Sequence, residues 1–167
     1  MRYLIVALFI LTTALSANAQ IEKYQALFMY KFLQNFEWPA GTVDGGFKVG
    51  VLGSDEVQSQ FSKLVNGRSI GGKSIEVIKY TPGSSTAGLC MVFISNKNKD
   101  LFESIQKTAL GSSTVVVCES PGLAKKGAAV NFVTAGGSLK FELNESSLEA
   151  SKVKASSTIK ALAILVK

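Results

Sequence analysis

The sequence predicts an α/β domain: a three-layer sandwich with a mostly parallel sheet of about 5–6 strands, flanking helices and a C-terminal β-hairpin. Short apolar runs alternate with helical stretches, which is typical of a parallel sheet covered on both faces. Val130 to Thr134 and Leu139 to Leu143 alternate in polarity and flank Gly136-Gly137, which indicates the hairpin. Residues 20–167 have the length of a single domain.

Residues 1–19 have the pattern of a cleavable secretory signal. Arg2 supplies an early positive charge, Leu4 to Leu15 is almost wholly apolar, and Ala17-Asn18-Ala19 has the small-x-small form of a cleavage site. A membrane anchor is the alternative, but a spanning helix needs about 20 apolar residues and Thr12-Thr13 interrupts this run. We therefore expect a periplasmic protein that begins at Gln20 and has no stable membrane insertion after cleavage.

A long first helix is predicted from Ile21 to Trp38. Its polar side chains gather on one narrow face, so the helix is expected to bury most of its circumference. Pro39 is expected to end it. The residues on the apolar part are Tyr24, Phe28, Met29, Phe32, Leu33 and Phe36.

Further helices and four strands follow from capping residues and apolar runs. Ser54 is a preferred N-cap residue, so a second helix is predicted to begin there and to run to about Val65. Other helices are predicted over Lys99 to Leu110 and from about Ser157 onward, with Val166 on the apolar face of the last. The predicted strands are Phe47 to Leu52, Ser74 to Tyr80, Cys90 to Ser95 and Thr114 to Cys118.

Composition argues against most catalytic schemes. The chain contains no histidine, which removes the commonest general base and the commonest metal ligand. Glu145 and Glu149 lie one helical turn apart, but acidic residues near a helix start more often complement its dipole. We therefore expect no enzyme activity, no metal site and no cofactor.

The net charge of +6 does not indicate nucleic-acid binding. Lysine pairs such as Lys97 with Lys99 and Lys125 with Lys126 are scattered along the chain. Nucleic acid requires a continuous basic stripe with stacking aromatic side chains. No nucleic-acid partner is expected.

Gly67 to Ser74 fits the phosphate-loop pattern G-x-x-x-x-G-K-[ST]. A working phosphate loop follows a strand and opens a helix, whose N-terminus contributes to phosphate binding. This stretch follows a predicted helix and opens a predicted strand. We interpret it as a glycine-rich turn.

Cys90 opens the third predicted strand and Cys118 closes the fourth. If those strands are parallel neighbours, the two residues are offset by about four positions, or ~13 Å. A disulfide needs Cα atoms within about 7 Å. Two buried free thiols are expected, with a reactive thiol at Cys118 as a minor alternative.

Fold logic suggests one small-ligand site, because open α/β sheets bind ligands beyond the carboxyl ends of their strands. Helix capping is the competing interpretation of Ser54 and Asp55. The candidate residues at this rim are Gly53, Ser54, Asp55, Ser95, Asn96, Glu119 and Ser120.

A candidate partner-binding edge comprises Tyr30, Phe36 and Trp38. The first helix carries more aromatic surface than one sheet face normally covers, so these side chains are expected to be partly exposed. Exposed apolar patches usually mark protein contacts. The alternative is that the three aromatics only close the core.

Six short motifs follow one another along residues 20–167. They are Tyr24-x-Ala26-x-Phe28-x-Tyr30-x-Phe32, Phe36-Glu37-Trp38-Pro39, Phe47-x-Val49-Gly50-Val51-Leu52-Gly53, Cys90-x-x-Phe93-Ile94-Ser95, Gly127-Ala128-Ala129-Val130-Asn131-Phe132 and Leu139-x-Phe141-Glu142-Leu143-Asn144. This ordered set resembles the YfiR-type periplasmic regulators, and the resemblance covers essentially all of residues 20–167. It implies a domain that binds the extracytoplasmic part of an inner-membrane signalling enzyme, typically a diguanylate cyclase, and holds it inactive. Family members with structural disulfides carry more cysteines than this chain, so their bridges do not carry over.

Two functions therefore remain in view. The leading one is a non-catalytic regulator of a membrane signalling protein in cyclic-di-GMP signalling, with a homodimer as an open alternative for its assembly. The alternative is a periplasmic small-ligand-binding or sensor module. Partner binding predicts an exposed apolar patch, whereas ligand binding predicts an enclosed pocket at the strand rim.

Overall fold

The computed structural model describes residues 20–167, so the signal predicted for residues 1–19 lies outside the described residues. The α-helices are α1 (residues 20–35), α2 (Asp55–Val65), α3 (Phe102–Leu110), α4 (Glu145–Ala150) and α5 (Ser157–Leu162), and Asn96–Leu101 is a 3₁₀ helix. The strands are β1 (Phe36–Glu37), β2 (Phe47–Leu52), β3 (Ser69–Ile70), β4 (Lys73–Lys79), β5 (Met91–Ile94), β6 (Val115–Cys118), β7 (Val130–Ala135), β8 (Ser138–Asn144), β9 (Lys154–Ala155) and β10 (Ile164–Val166).

Eight strands form one mostly parallel sheet in the order β10-β8-β7-β6-β5-β2-β4-β3. Parallel pairing joins β4 to β2, β2 to β5, β5 to β6 and β6 to β7. The pairs β7–β8 and β3–β4 are antiparallel. The predicted fold class is confirmed, with more strands than the five or six expected. The additional strands are short edge pieces whose two to three residues carry no periodicity of their own.

The hairpin between β7 and β8 forms where the sequence predicts it. Ala135 pairs with Ser138, which leaves Gly136 and Gly137 as a two-residue turn. Both glycines have positive φ, +61° and +74°. Such a turn matches the twist of the flanking strands and strongly favours glycine at these positions.

Helix α1 ends three residues earlier than predicted. The chain leaves the helix after Asn35, and Phe36–Glu37 pairs antiparallel with Lys154–Ala155. The Asn35 carbonyl also accepts a hydrogen bond from the Ser156 amide at 3.0 Å. A pairing partner about 120 residues away in sequence therefore terminates the helix before Pro39 does.

One face of the sheet is covered by α1 and α2 and is rich in phenylalanine. Phe32 is fully buried, and its ring centroid lies 5.0 Å from that of Phe141, 5.4 Å from that of Phe36 and 6.1 Å from that of Phe132. Aromatic pairs at such separations contribute beyond simple area burial. This cluster joins α1 to the β7–β8 hairpin.

The other face is covered by α3. Phe102, Ile105 and Ala109 of this helix pack with apolar side chains of β2, β5 and β6. Because helices lie on both faces, the three-layer arrangement expected from the continuous apolar strands is confirmed.

The C-terminal segment departs from the sequence prediction. Helix α5 ends at Leu162, and Ile164–Val166 forms β10, parallel to β8 at the sheet edge. Apolar periodicity predicted one helix through Val166, but the short apolar run fits a strand equally well. Among residues 20–167 no helix is long and apolar enough to span a membrane.

Candidate functional site

The sheet changes winding direction between β2 and β5, which lie side by side. Helix α2 follows β2 on one face and α3 follows β5 on the other. In open α/β sheets the crevice beyond such neighbouring strand ends is the usual ligand site. Among the predicted rim residues, Gly53 lies against Ser95, and Asn96 contacts Glu119 and Ser120.

At this crevice the protein's own side chains lie close together. A Cβ atom built on Gly53 would collide with the side chains of Asn98 and Ser95. Ser95 is buried, and its hydroxyl lies 3.4 Å from the Asn98 side-chain oxygen. The 3₁₀ helix after β5 thus places Asn98 against the turn after β2, where a ligand would approach.

Ser54 caps α2 as the capping interpretation predicts, whereas Asp55 lies in the first turn of the helix. The Ser54 hydroxyl accepts a hydrogen bond from the Val57 amide at 3.2 Å and caps α2. Asp55 is largely exposed and forms an ion pair with Lys79 at 2.8 Å. The hydrogen bond from Lys79 lowers the pKa of the Asp55 carboxyl below its ordinary value.

Glu119 is the connecting group of the rim. Its Oε2 accepts a hydrogen bond from Gln25 Nε2 at 2.7 Å, and its Oε1 accepts one from the Asn96 backbone N–H at 2.9 Å. The Asn96 side-chain oxygen in turn accepts a hydrogen bond from Ser120 at 2.8 Å. Sequence reasoning missed Gln25, which is buried in α1 and lies 94 positions from its partner.

We expect Glu119→Gln to destabilise the fold. The carboxylate accepts both hydrogen bonds as a charged group, and such bonds contribute about 1.5–3 kcal/mol each. A neutral glutamine weakens both bonds, and its amide N–H finds an acceptor only if the Gln25 side chain flips to present its oxygen. Urea unfolding at neutral pH should show a loss near the low end of that range, because Glu119 is half-buried.

Glu149→Gln provides the matched control for this measurement. Glu149 is exposed on α4, so its neutral variant should stay within about 0.5 kcal/mol of the parent chain. Equal effects of the two substitutions would show that Glu119 does not tie α1 to the rim.

Cys90 and Cys118 are both buried and free. Strands β5 and β6 are parallel neighbours, as expected, and Cys118 lies opposite Ile94. The side chains of Cys90 and Cys118 belong to apolar clusters on opposite faces of the sheet. Burial raises the pKa of the Cys90 thiol from 9.0 to about 12, and burial also raises the pKa of Cys118.

Thiol labelling tests this arrangement. The native protein should resist a thiol reagent at pH 8, whereas the denatured and unreduced chain should react at both cysteines. Labelling that appears only after reduction would demonstrate a disulfide and contradict the strand offset.

The raised thiol pKa values also predict a loss of stability at high pH. Between about pH 9 and pH 12 the unfolded state releases the thiol proton and the folded state keeps it, so the free energy of unfolding falls. The Cys90→Ala, Cys118→Ala double variant should show a smaller decline in melting temperature across this window. An identical decline would exclude the thiols as its cause.

The predicted partner-binding edge is mostly covered. Tyr30 and Phe36 are buried, so the expectation that they would be exposed is wrong. Tyr30 lies beneath the Arg68 guanidinium, 5.5 Å from the ring centroid, and Phe36 stacks on Phe32. Strand β1 draws Phe36 into the core by its pairing with β9.

Trp38 is half-buried and packs against the same core. Its ring centroid lies 6.0 Å from that of Phe36 and 6.3 Å from that of Phe47. Removing the indole would therefore disturb core packing as well as any surface contact. A role of Tyr30, Phe36 and Trp38 in partner binding stays a prediction.

Other apolar side chains are exposed instead. On α1, Tyr24 is 45% exposed and Leu27 is 41% exposed, although Tyr24 was expected on the buried part of the helix. Near the C-terminus Leu162 of α5 and Leu165 of β10 are 62% and 55% exposed. The exposed face of α1, predicted to be narrow and polar, thus also carries Tyr24 and Leu27.

The phosphate-loop pattern forms a β-hairpin. Ser69–Ile70 pairs antiparallel with Lys73–Ser74, and Gly71 and Gly72 make the turn with positive φ. No helix follows the pattern, so the structural context that phosphate binding requires is missing. The interpretation as a glycine-rich turn is confirmed.

Across the described residues no group of three or more Cys, Asp or Glu side chains is placed to hold a metal ion. The Glu119 carboxylate accepts hydrogen bonds from the Gln25 side chain and the Asn96 backbone amide. The thiols of Cys90 and Cys118 are buried. The structure is thus an α/β fold with exposed apolar side chains on α1 and near the C-terminus. The chain belongs to the YfiR/HmsC-like family, whose model matches residues 22–164. No curated protein sequence matches the chain significantly.

Proposed function

We propose that this protein is a non-catalytic periplasmic regulator that binds the extracytoplasmic domain of an inner-membrane signalling enzyme and restrains it. The observation that carries the proposal is membership of the YfiR/HmsC-like family along residues 22–164. The enzyme would be of the diguanylate cyclase or kinase type.

The surface of the described residues supports a binding role. Tyr24 and Leu27 are exposed next to each other on the outer face of α1. Exposed apolar groups on one face of a soluble domain commonly mark contacts with other proteins. Tyrosine is among the residues that contribute most to such contacts.

The second function considered, a small-ligand or sensor module, has no comparable support at the strand rim. Asn98 packs against Gly53, and both carboxylate oxygens of Glu119 accept hydrogen bonds from the protein. A ligand there would have to displace these contacts.

The proposal is tested in the bacterium that encodes the chain. Deleting the gene should raise cellular cyclic di-GMP severalfold, because the restrained cyclase becomes active. Expression of the wild-type chain with its own first 19 residues should restore the parental level. An unchanged level after deletion would contradict a restraining role in this pathway.

A further inference from the structure

A groove of about 430 Å³ lies between α1 and α2. Its apolar lining includes Tyr24 and Leu27 from α1 and Leu64 from α2. Tyr24 and Leu27 are substantially exposed, and Leu64 is half-buried. The groove therefore offers apolar surface that the described part of the chain does not cover.

Three cationic side chains also line this groove: Lys23 from α1, Lys63 from α2 and Arg68 from the turn that follows α2. None of the described residues that line it is acidic. The ion pairs found among residues 20–167 engage other lysines, namely Lys48, Lys73, Lys79 and Lys160. The groove thus combines an apolar floor with positive charge that lacks an acidic partner within the described residues.

We propose that this groove binds an amphipathic, acidic α-helix of a protein partner. The side-chain ridge of a third helix fits the furrow between two helices that lie on one sheet face. An apolar stripe on the incoming helix would cover Tyr24 and Leu27, and carboxylates beside it would pair with Lys23, Lys63 and Arg68. Complementary charge sets the orientation and speeds association.

The shape of the groove favours this occupant over two others. A small molecule is normally enclosed over roughly 70–90% of its surface, whereas the cationic side chains here are themselves exposed. A flat bilayer would contact convex surface and leave the furrow between the helices empty. The inference deepens the proposed function, on which it rests, by naming the surface and the chemistry of the partner segment.

Photo-crosslinking in the encoding bacterium tests the proposal. Leu27 is replaced by p-benzoylphenylalanine in the full chain, and Leu110 is replaced in a control chain. Leu110 is similarly exposed, at 44%, but it lies on α3 across the sheet. We expect an adduct from position 27 whose partner peptide, read by mass spectrometry, is an acidic amphipathic segment, and no such adduct from position 110.

Charge reversal supplies the second arm. Lys23→Glu with Lys63→Glu should lower the yield of the position-27 adduct at least tenfold. Lys125→Glu with Lys126→Glu changes the charge equally on exposed residues outside the groove and should leave the yield within twofold. Circular dichroism of each purified variant establishes that the fold is retained.

Several outcomes would overturn the proposal. These are the absence of an adduct at position 27, a yield that does not respond to charge reversal in the groove, or an adduct to lipid, a small molecule or a second copy of this chain. Cyclic di-GMP measured in the same strains separates the two hypotheses. If deletion raises cyclic di-GMP but position 27 gives no adduct, the proposed function stands and the groove is not the binding site. If the adduct forms but deletion leaves cyclic di-GMP unchanged, the groove binds a partner and the proposed function fails.

Discussion

Phe32→Ala should destabilise the fold by about 3–5 kcal/mol, the range for truncating a large buried aromatic side chain. Phe32 is fully buried and stands among the rings of Phe28, Phe36, Phe132 and Phe141. Its loss would leave a cavity between α1 and the β7–β8 hairpin. For a domain of this size the melting temperature should fall by roughly 10 °C.

Lys31→Ala is the matched control for that measurement. Lys31 precedes Phe32 on the same helix and is exposed, so its removal should change stability by no more than about 0.5 kcal/mol. Calorimetry should compare the melting temperatures of the two variants with that of the parent chain. A Phe32→Ala protein that melts near the parent would mean that α1 does not depend on this cluster.

Gly53→Ala is expected to have the second large effect. Gly53 has φ of +81°, where a side chain adds roughly 1–2 kcal/mol of strain. The new methyl group would also displace Asn98 and Ser95, and such overpacking costs about 1–3 kcal/mol more. The substitution should therefore lower the free energy of unfolding by about 2–5 kcal/mol.

Gly67→Ala separates the two contributions. Gly67 has a similar φ of +69°, but a Cβ there meets open space. In chemical denaturation, Gly67→Ala should lower the free energy of unfolding by the cost of backbone strain alone. Gly53→Ala should lower it roughly twice as much. Equal losses at both positions would indicate that Asn98 moves aside freely, and the crevice beyond β2 and β5 would then be open to a ligand.

The elements that the sequence predicts well are those specified by neighbouring residues. The Ser54 cap, the Gly136-Gly137 turn and the valine-rich β6 all follow from local chemistry. Parallel pairing of β5 with β6 also follows, because continuous apolar strands between helices leave few alternatives. From this pairing the separation of Cys90 and Cys118 could be predicted.

The features that the sequence did not predict depend on distant residues. The end of α1 is determined by pairing with Lys154–Ala155, and the hydrogen bonds of Glu119 depend on Gln25. Exposure of Tyr24 in place of Tyr30 depends on where α2 and Arg68 lie beside α1. Helical periodicity separates polar from apolar faces, but it does not specify which aromatic side chain a neighbouring element will cover.

The tie between α1 and the far end of the chain has a consequence for biogenesis. A polypeptide is made from its N-terminus, so α1 emerges before β8, with Phe141, and β9. Until the β7–β8 hairpin arrives, Phe28 and Phe32 of α1 lack the rings of Phe132 and Phe141 on which they pack. Transiently exposed aromatic surface of this kind is what chaperones protect from aggregation.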